Sequence, residues 1–490
     1  MIEITQAESS ALFAAIAWVK QQHGVRYAEA RFVGERSENL KVRDGRPENA
    51  SSRTTRGAGV RVLTGTWGFA CTAKLDDASV MGAMKMALAV ARASSGLVKA
   101  PAPFPERPPS RGAYENKPEI DPFSVPLEQK LADLDAPVRE ARRGGKPVDS
   151  AEAWMSWTQQ HKRLVSTEGT DTDQRLVFGG VGMHVFASEG AISQRRSYPS
   201  WQGCEGFQGG YEHVRTLDML GAAPRLREEV IALLSAPPCP SGARDLVLES
   251  SQVALQIHES CGHPTELDRA LGTEISLAGG SFMQPSMLGK LRYGSPIVNL
   301  VADSTSPGGM GTFGWDDEGV PAGKRALVSE GMFVDYLSSR ETAAALGRES
   351  TGTMRADGWN KTPLIRMVNV SLEPGHGSLD DLIGDVKDGV YMEVDKSWSI
   401  DDLRLNFQFS CELAWEIKNG KRTRLLRDPF YTGTTPAFWR SCDAIAGPDE
   451  WRLWGVNSCG KGDPMQLMQV GHGASPARFR GVSIGNTGHA

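Results

Sequence analysis

Residues 258–263, with the sequence HESCGH, contain the residue types that a metal-dependent hydrolase uses. Neutral imidazoles are common zinc ligands, and a carboxylate beside one of them can take a proton from an attacking water. His258 and His263 are therefore candidate metal ligands, and Glu259 is the candidate general base. The alternative is that the two histidines are unrelated core or surface residues, and the motif alone leaves both readings open.

The two histidines are five positions apart, one more than in the familiar H-E-x-x-H motif. On a straight α-helix, residues five apart lie about 140° from each other around the axis, because each turn takes 3.6 residues. The pair can share one ion only if the helix is distorted, either by a π-bulge or by ending inside the motif. Gly262 suits either distortion, and Pro264 stops the helix directly after the second histidine.

A third ligand is required, because zinc sites in proteins have at least three protein ligands. Cys459 is the best candidate, since it lies in a glycine-bounded turn at residues 457–462 and Lys461 favours its thiolate form. A buried structural thiol is the alternative interpretation of Cys459. Cys261 lies between the histidines, and we expect it to pack in the core because neighbours on one turn rarely all face one ion.

A strand at residues 244–249 is expected to lead into the helix that carries the motif, with Ser250 or Ser251 as its N-cap. The spacing of apolar residues predicts further elements along the chain. Helices are expected at residues 8–22, 78–93, 127–141 and 216–235, and strands at residues 27–33, 60–63, 67–69, 151–166, 175–187 and 190–198.

The chain has 490 residues, too many for one ordinary core, so more than one domain is expected. We predict an α+β fold, with an N-terminal α+β domain followed by a large β-rich C-terminal domain that carries a short metal-binding helix. The expected divisions are an N-terminal α+β region at 1–97, a proline-rich linker at 98–126, a middle α+β region at 127–240 that continues the N-terminal domain, and a β-rich metallopeptidase domain at 241–490.

Composition narrows the possible partners and compartment. A net charge of −5 shows no bias toward nucleic acid, and no apolar run is long enough to span a membrane, so neither is expected as a partner. Acidic residues near the start, where a signal peptide would be basic, favour a cytoplasmic protein. The odd number and wide scatter of the cysteines favour reduced thiols over disulfides. The cysteines are Cys71, Cys204, Cys239, Cys261, Cys411, Cys442 and Cys459.

Several short motifs occur in a fixed order around the HESCGH segment. They are Arg56–Val62, Thr66–Ala70, Asp316–Gly319, Ser339–Ala343, Arg366–Asn369 and Cys459–Lys461. With these motifs the chain resembles the TldD/PmbA family of metalloproteases, also described as modulators of DNA gyrase, over nearly its whole length. The resemblance is specific because six modest motifs follow one another in order.

The resemblance implies a zinc-dependent endopeptidase with one Zn²⁺ per catalytic subunit, bound by His258, His263 and Cys459. Glu259 would then activate the water. It also implies an enclosed site that admits unfolded or unstructured peptides. The partner would be a second copy in a homodimer, or a metal-free PmbA/TldE-like paralogue in a heterodimer. This chain retains every ligand, which favours the catalytic subunit.

Two alternatives for the function stay open: a non-catalytic assembly or regulatory subunit, and a zinc amidase that acts on a small molecule. The acidic turn Asp316-Asp317-Glu318 is a candidate for substrate contact or a cation site, and a solvated turn is its plainer interpretation. His472, in a Gly-His-Gly turn, is expected to be solvent-exposed, with an approach to the metal site as the alternative.

Overall fold

The computed structural model describes residues 2–144, 147–200, 205–275 and 279–487. Its α-helices are α1 (Gln6–Lys20), α2 (Asp77–Ser95), α3 (Leu127–Ala141), α4 (Glu212–Thr216), α5 (Met219–Ser235), α6 (Ser250–Ile257), α7 (Leu267–Ala270), α8 (Arg340–Ala345), α9 (Leu379–Gly384) and α10 (Thr435–Arg440).

The strands of the N-terminal half are β1 (Tyr27–Arg43), β2 (Arg46–Leu63), β3 (Trp67–Thr72), β4 (Arg111–Glu115), β5 (Val148–Ser166), β6 (Asp171–Glu189), β7 (Ile192–Tyr198) and β8 (Glu205–Gln208). Those of the C-terminal half are β9 (Gly242–Leu248), β10 (Leu300–Asp303), β11 (Lys324–Ser329), β12 (Met332–Phe333), β13 (Met354–Arg355), β14 (Leu364–Ile365), β15 (Val370–Leu372), β16 (Asp388–Ile400), β17 (Asn406–Lys418), β18 (Lys421–Leu426), β19 (Pro429–Thr434), β20 (Cys442–Ile445), β21 (Arg452–Lys461), β22 (Gln466–Ala474) and β23 (Ala477–Asn486).

One mixed sheet, here called the N-terminal sheet, contains β1 to β8 in the order β3-β2-β1-β5-β6-β4, with β7 and β8 also paired to β6. Helices α1 and α2 cover one apolar cluster on it, and α3 and α5 cover a second. The four predicted helices are present as α1, α2, α3 and α5. Several strands are longer than the apolar runs that predicted them. The first half of β2, for example, is exposed and polar, so it lacks an alternating signal.

The proline-rich segment contributes one strand to this sheet. Residues Arg111–Glu115 form β4, which pairs parallel with β6 at the edge of the N-terminal sheet. An edge position is where a proline-rich chain can pair, since one side of the strand needs no ladder hydrogen bonds.

The C-terminal half is rich in β-structure, and its largest sheet has the order β16-β9-β23-β19-β17-β18, with β20 paired to β23. β9 lies inside this sheet, parallel to β16 and antiparallel to β23. β21 and β22 form a separate two-stranded hairpin. The prediction of an α+β fold with a β-rich C-terminal region is confirmed.

Six cysteines fall within the described residues, and all six are free thiols. Cys204 lies outside the described residues. Among the helices of the described residues, none combines the length and the apolar character that crossing a membrane requires.

Candidate metal centre

The motif begins at the end of α6, which closely follows strand β9, whose last three residues are buried. The prediction of Ser250 or Ser251 as the N-cap is wrong. Glu249 is the N-cap, and its carboxylate accepts the backbone N–H of Ser251 at 2.7 Å. Because the longer Glu249 side chain folds back onto the first turn, both serines are already helical. Helix α6 is therefore attached to β9, a strand inside the largest sheet of the C-terminal half.

Residues His258–Gly262 form a π-helical turn, one of the two distortions that the histidine spacing predicts. The backbone N–H of His263 donates to the carbonyl of His258, so one hydrogen-bonded ring encloses the five-residue step. The ring centroids of the two histidines are 4.8 Å apart. The π-helical turn therefore brings together two side chains that an α-helix would separate.

The carbonyls displaced by this turn have other donors. The Tyr293 hydroxyl donates to the Ser260 carbonyl at 2.9 Å, and the Thr265 hydroxyl donates to the Cys261 carbonyl at 2.8 Å. The Cys261 side chain packs in the apolar core, as expected. Satisfied carbonyls stabilise a backbone geometry that a regular helix would not adopt.

Gly262 is needed for packing and not for an unusual backbone angle. Its backbone is right-handed helical, with φ −54° and ψ −64°. A Cβ atom at this position would overlap the sulfur of Met367. Pro264 follows in a 3-10 turn at His263–Thr265, which ends the helical segment.

Strand β21 brings the third candidate ligand to the two histidines. The Cys459 sulfur lies 3.6 Å from Nε2 of His263. One donor atom from each of His258, His263 and Cys459 lies within 4.8 Å of the others, and all three residues are buried. Zinc bonds of about 2.0 Å to nitrogen and about 2.3 Å to sulfur place such atoms about 3.5 Å apart in a tetrahedral site. The separation of Cys459 and His263 matches this spacing.

His472 fixes the tautomer of His258. The expectation that His472 is solvent-exposed is wrong, because it is fully buried on β22. Its Nδ1 lies 2.9 Å from the Val370 carbonyl, which can only accept, so Nδ1 carries the proton. Burial, followed by the charge of His258, lowers the pKa of His472 well below its usual range, so its Nε2 is a bare acceptor. This Nε2 lies 2.7 Å from Nδ1 of His258, which must donate, leaving the His258 Nε2 lone pair for a metal.

Glu266 does the same for His263. Its carboxylate accepts from Nδ1 of His263 at 3.0 Å, so the lone pair of His263 is on Nε2, toward Cys459. Glu266 is fully buried, and the charges of Lys461 and Arg269 outweigh the effect of burial and hold its pKa well below the usual range. A carboxylate, a histidine and a metal in this order is a common arrangement at zinc sites.

The ligands are in the protonation states that a metal needs. Burial lowers the pKa of His258 to about 4, and burial also lowers the pKa of His263. Burial raises the pKa of the Cys459 thiol, but the charges of His263 and Arg366 outweigh it, and the pKa lies below its usual value. Two neutral imidazoles and a thiolate-prone cysteine form a donor set that suits zinc.

Glu259 is held by an arginine from another part of the chain. Nη1 of Arg404 donates to its carboxylate at 2.7 Å. Arg404 lies in the loop between β16 and β17 and has a left-handed backbone, with φ 64°. The Glu259 side chain is buried, with 6% of its surface exposed. The ion pair orients the carboxylate beside the candidate ligands.

A cavity of about 840 Å³ opens onto this cluster. His258, Glu259, His263, Cys459 and Arg404 line one part of it. The N-terminal sheet contributes another part of the lining: Asn39, Lys41, Glu152, Trp154, Ser156, His184 and Arg195. The site therefore combines groups from both halves of the chain.

The acidic turn does not line this cavity. Asp316, Asp317 and Glu318 are buried, so the interpretation as a solvated turn is wrong. Lys162 donates to Asp317 at 2.8 Å, and Arg61 lies 3.4 Å from Glu318. Both basic residues come from the N-terminal sheet. The turn therefore joins the two halves of the chain, which is a structural role.

Sequence reasoning missed Glu266 and Arg404, and it gave the approach of His472 to the metal site only as the alternative. Glu266 could have been found, because it follows His263 by only three positions, directly after the 3-10 turn. Nothing in the sequence connects Arg404 or His472 with the motif, since each reaches it only through tertiary contacts.

Comparison with known proteins gives a consistent result. A protein-family model described as the PmbA/TldA metallopeptidase C-terminal domain matches residues 241–486. A second family model, PmbA/TldA metallopeptidase domain 1, matches residues 28–94. A metalloprotease of Methanothermobacter thermautotrophicus is 28% identical over 94% of this chain and 96% of its own length. A metalloprotease TldD homolog of Haemophilus influenzae is 26% identical over 96% and 95%.

Solved structures share the fold. A Thermotoga maritima protein described as a candidate modulator of a DNA gyrase has a TM-score of 0.77 at 17% identity, over 97% of this chain and 99% of that one. TldE from Thermococcus kodakarensis has a TM-score of 0.73 at 17% identity, over 97% and 100%.

Proposed function

Because the chain belongs to the PmbA/TldA metallopeptidase family, we propose that it is a zinc-dependent endopeptidase that hydrolyses unstructured peptides. One observation carries the proposal. Two histidines whose Nδ1 atoms are held by His472 and Glu266, a thiolate-prone cysteine and a carboxylate converge at one wall of one cavity. We assign His258, His263 and Cys459 as the ligands of one Zn²⁺ and Glu259 as the general base.

The residues fit zinc better than a harder cation. The donor set is two nitrogens and one sulfur, and each histidine is oriented by a partner at its Nδ1. A bound zinc ion lowers the pKa of a water and polarises the scissile carbonyl.

Glu259 accepts the proton of the attacking water and returns it to the leaving amine. Arg404 acts as a positioning residue, because its hydrogen bond to the carboxylate at 2.7 Å restricts the side chain to one orientation. This fixed orientation matters because a general base must lie within hydrogen-bonding distance of the proton that it takes.

The cavity supports peptides as substrates and excludes folded domains. Its volume of about 840 Å³ matches that of pockets for small ligands and cannot hold a globular domain. The pairing of β21 with β22 shifts register between Val456 and Cys459, so the strand bulges where it borders the cavity. An extended peptide can bind beside such a strand through main-chain hydrogen bonds, with little sequence preference.

We propose a dimer as the working form, either a homodimer or a heterodimer with a metal-free PmbA/TldE-like paralogue. The TldE neighbour in the structure comparison supports this kind of partner. Measuring the mass in solution, with and without such a paralogue, decides between the two forms.

Two other functions are less well supported by the site than a peptidase. A non-catalytic assembly or regulatory subunit would not need Glu259 beside three ligands. A zinc amidase for a small molecule is compatible with the cavity volume. A panel of small amides assayed beside the peptide pool separates it from a peptidase.

The test is cleavage of a pool of unstructured peptides by the zinc-loaded chain, together with elemental analysis. Glu259→Gln is expected to retain zinc and lose cleavage, while Glu373→Gln at the surface retains both. Cleavage by Glu259→Gln at the wild-type rate would overturn the assignment of the base.

The ligand assignment has its own test. Cys459→Ala is expected to lower the zinc content, while Cys442→Ala, another buried free cysteine, retains it. Unchanged zinc in Cys459→Ala would remove this residue from the ligands. Rapid cleavage of a stable folded domain would contradict the restriction to unstructured peptides.

A further inference from the structure

The N-terminal sheet lines the cavity with a cluster of polar side chains that the proposed chemistry does not use. Three of them line it from strands of this sheet: Lys41 on β1, His184 on β6 and Arg195 on β7, with β5 between β1 and β6. The backbone of His184 lies opposite Ser197 in the pairing of β6 with β7. We call these three residues the sheet wall.

The protonation state of His184 follows from its hydrogen bonds. The Ser197 hydroxyl donates to the carboxylate of Glu412, so its oxygen is left to accept from Nδ1 of His184, which lies 2.7 Å away. Burial, followed by the charges of Arg195 and Lys41, lowers the pKa of His184 well below its usual range. His184 is therefore neutral, with its proton on Nδ1 and a lone pair on Nε2.

Nε2 of His184 has no hydrogen-bond partner within the described part of the chain, and it is not sealed from the cavity. The rest of the side chain is fixed, since 8% of the residue is exposed and its ring lies 4.5 Å from that of Trp154. An acceptor that opens onto the cavity can receive a donor from a ligand, and an extended peptide offers its amide N–H groups.

The two cations that line the cavity with His184 are partly exposed and are paired with carboxylates, and Lys41 also binds Glu48, which is 43% exposed. The side chains of Lys41 and Arg195 are 28% and 25% exposed. Glu152, which binds Lys41, is 10% exposed, and Glu412, which binds Arg195, is 0% exposed. Both cations line the cavity, so a ligand that enters it can contact their charged ends.

We propose that the sheet wall is a substrate subsite for a peptide residue that carries a carboxylate. His184 Nε2 accepts the amide N–H of that residue, and Arg195 and Lys41 bind its carboxylate. The carboxylate is that of an Asp or Glu side chain or that of the peptide C-terminus. The inference rests on the proposed function for the role of the cavity, and it adds a class of substrate.

The test is binding of fluorescently labelled peptides to the metal-free wild-type protein, followed by anisotropy. The first peptide is unstructured and carries one Glu in a sequence of otherwise uncharged side chains. The second carries Gln at the same place, and both have amidated C-termini. A third is the Gln peptide with a free C-terminus. We expect a peptide with a carboxylate to bind about tenfold more tightly than the amidated Gln peptide, which is about 1.4 kcal/mol. The first and third peptides show which carboxylate is bound.

Protein variants locate the subsite. Arg195→Gln is expected to remove most of the preference and still leaves Glu412 in contact with Arg196. His184→Phe retains the ring and removes the acceptor, so it weakens binding of all the peptides. Lys418→Gln is the matched control, because its partner Asp388 keeps Arg244 and both lie outside the cavity.

Equal affinity for all three peptides would overturn the proposal, and this comparison needs no variant that could misfold. A preference that survives in Arg195→Gln would place the subsite elsewhere and would also overturn it. Binding without metal is independent of hydrolysis, so a failure of the peptidase assignment leaves this result readable. The preference is expected to shrink as salt is raised, since the cations are partly exposed.

Discussion

Replacing His472 by Phe is expected to weaken zinc binding although His472 is not a ligand. The change removes the acceptor for Nδ1 of His258 at 2.7 Å and the donor to the Val370 carbonyl at 2.9 Å. Without the acceptor, His258 either keeps a buried unpaired N–H or moves its proton to Nε2, where it blocks the metal.

The size of the effect follows from burial. His258 is 3% exposed, so water cannot replace the lost partner. A buried unsatisfied N–H costs about 1–3 kcal/mol, which is about a fivefold to 150-fold change in affinity. Loss of a residue that orients a ligand typically costs about 10–100-fold in metal affinity. We therefore expect about a tenfold to hundredfold weaker binding of zinc.

The assay is competition for zinc with a chromophoric chelator, with the free energy of unfolding measured in the metal-free state. His472→Gln is the conservative control, because its carbonyl can accept from His258 while its amide N–H donates to Val370. It is expected to recover much of the affinity. The reasoning is refuted if His472→Phe binds zinc like the wild type, or if the Gln and Phe variants lose equal affinity.

Three further predictions concern the same centre. Gly262→Ala is expected to destabilise the fold by about 1–3 kcal/mol and to lower zinc occupancy, because a Cβ overlaps the Met367 sulfur. Gly82→Ala, in open space on α2, is the control in urea unfolding, and equal stability of both variants would contradict the packing argument. Arg404→Met is expected to lower kcat about tenfold or more with little change in zinc content, with partial rescue in Arg404→Lys, and an unchanged kcat in a peptide-cleavage assay would exclude a positioning role. The metal-free protein is expected to lose stability as the pH falls from about 6.5 toward 4, because the pKa of His258 is about 4 in the folded state and the unfolded chain therefore binds the proton first. The free energy of unfolding is expected to fall by about 1.4 kcal/mol per pH unit for each such histidine. A urea midpoint that does not change across this range would show that these histidines are not buried and neutral.

The distortion at the motif was predictable because its cause is local. Two ligands five positions apart conflict with the period of an α-helix, and the conflict can be read from residues 258–264 alone. Cys459 was a candidate because of its glycine-bounded turn, and the resemblance to a family supported it; spacing could not, since 196 positions separate it from His263.

What the sequence did not reveal depends on strand register. His472 reaches His258 because β22 pairs with β21 in one register, with Trp454 opposite His472. A shift of one residue would turn His472 to the other face of the hairpin. The acidic turn was misjudged for a similar reason, because its partners Lys162 and Arg61 come from strands of the other sheet.

The hairpin of β21 and β22 supplies both the sulfur ligand and the residue that orients His258. Both are synthesised about two hundred residues after the helix that carries Glu259. A nascent chain on the ribosome thus exposes the base and two histidines long before it can hold the metal. The order of synthesis therefore delays assembly of the candidate metal site until the C-terminal hairpin has been made and has folded.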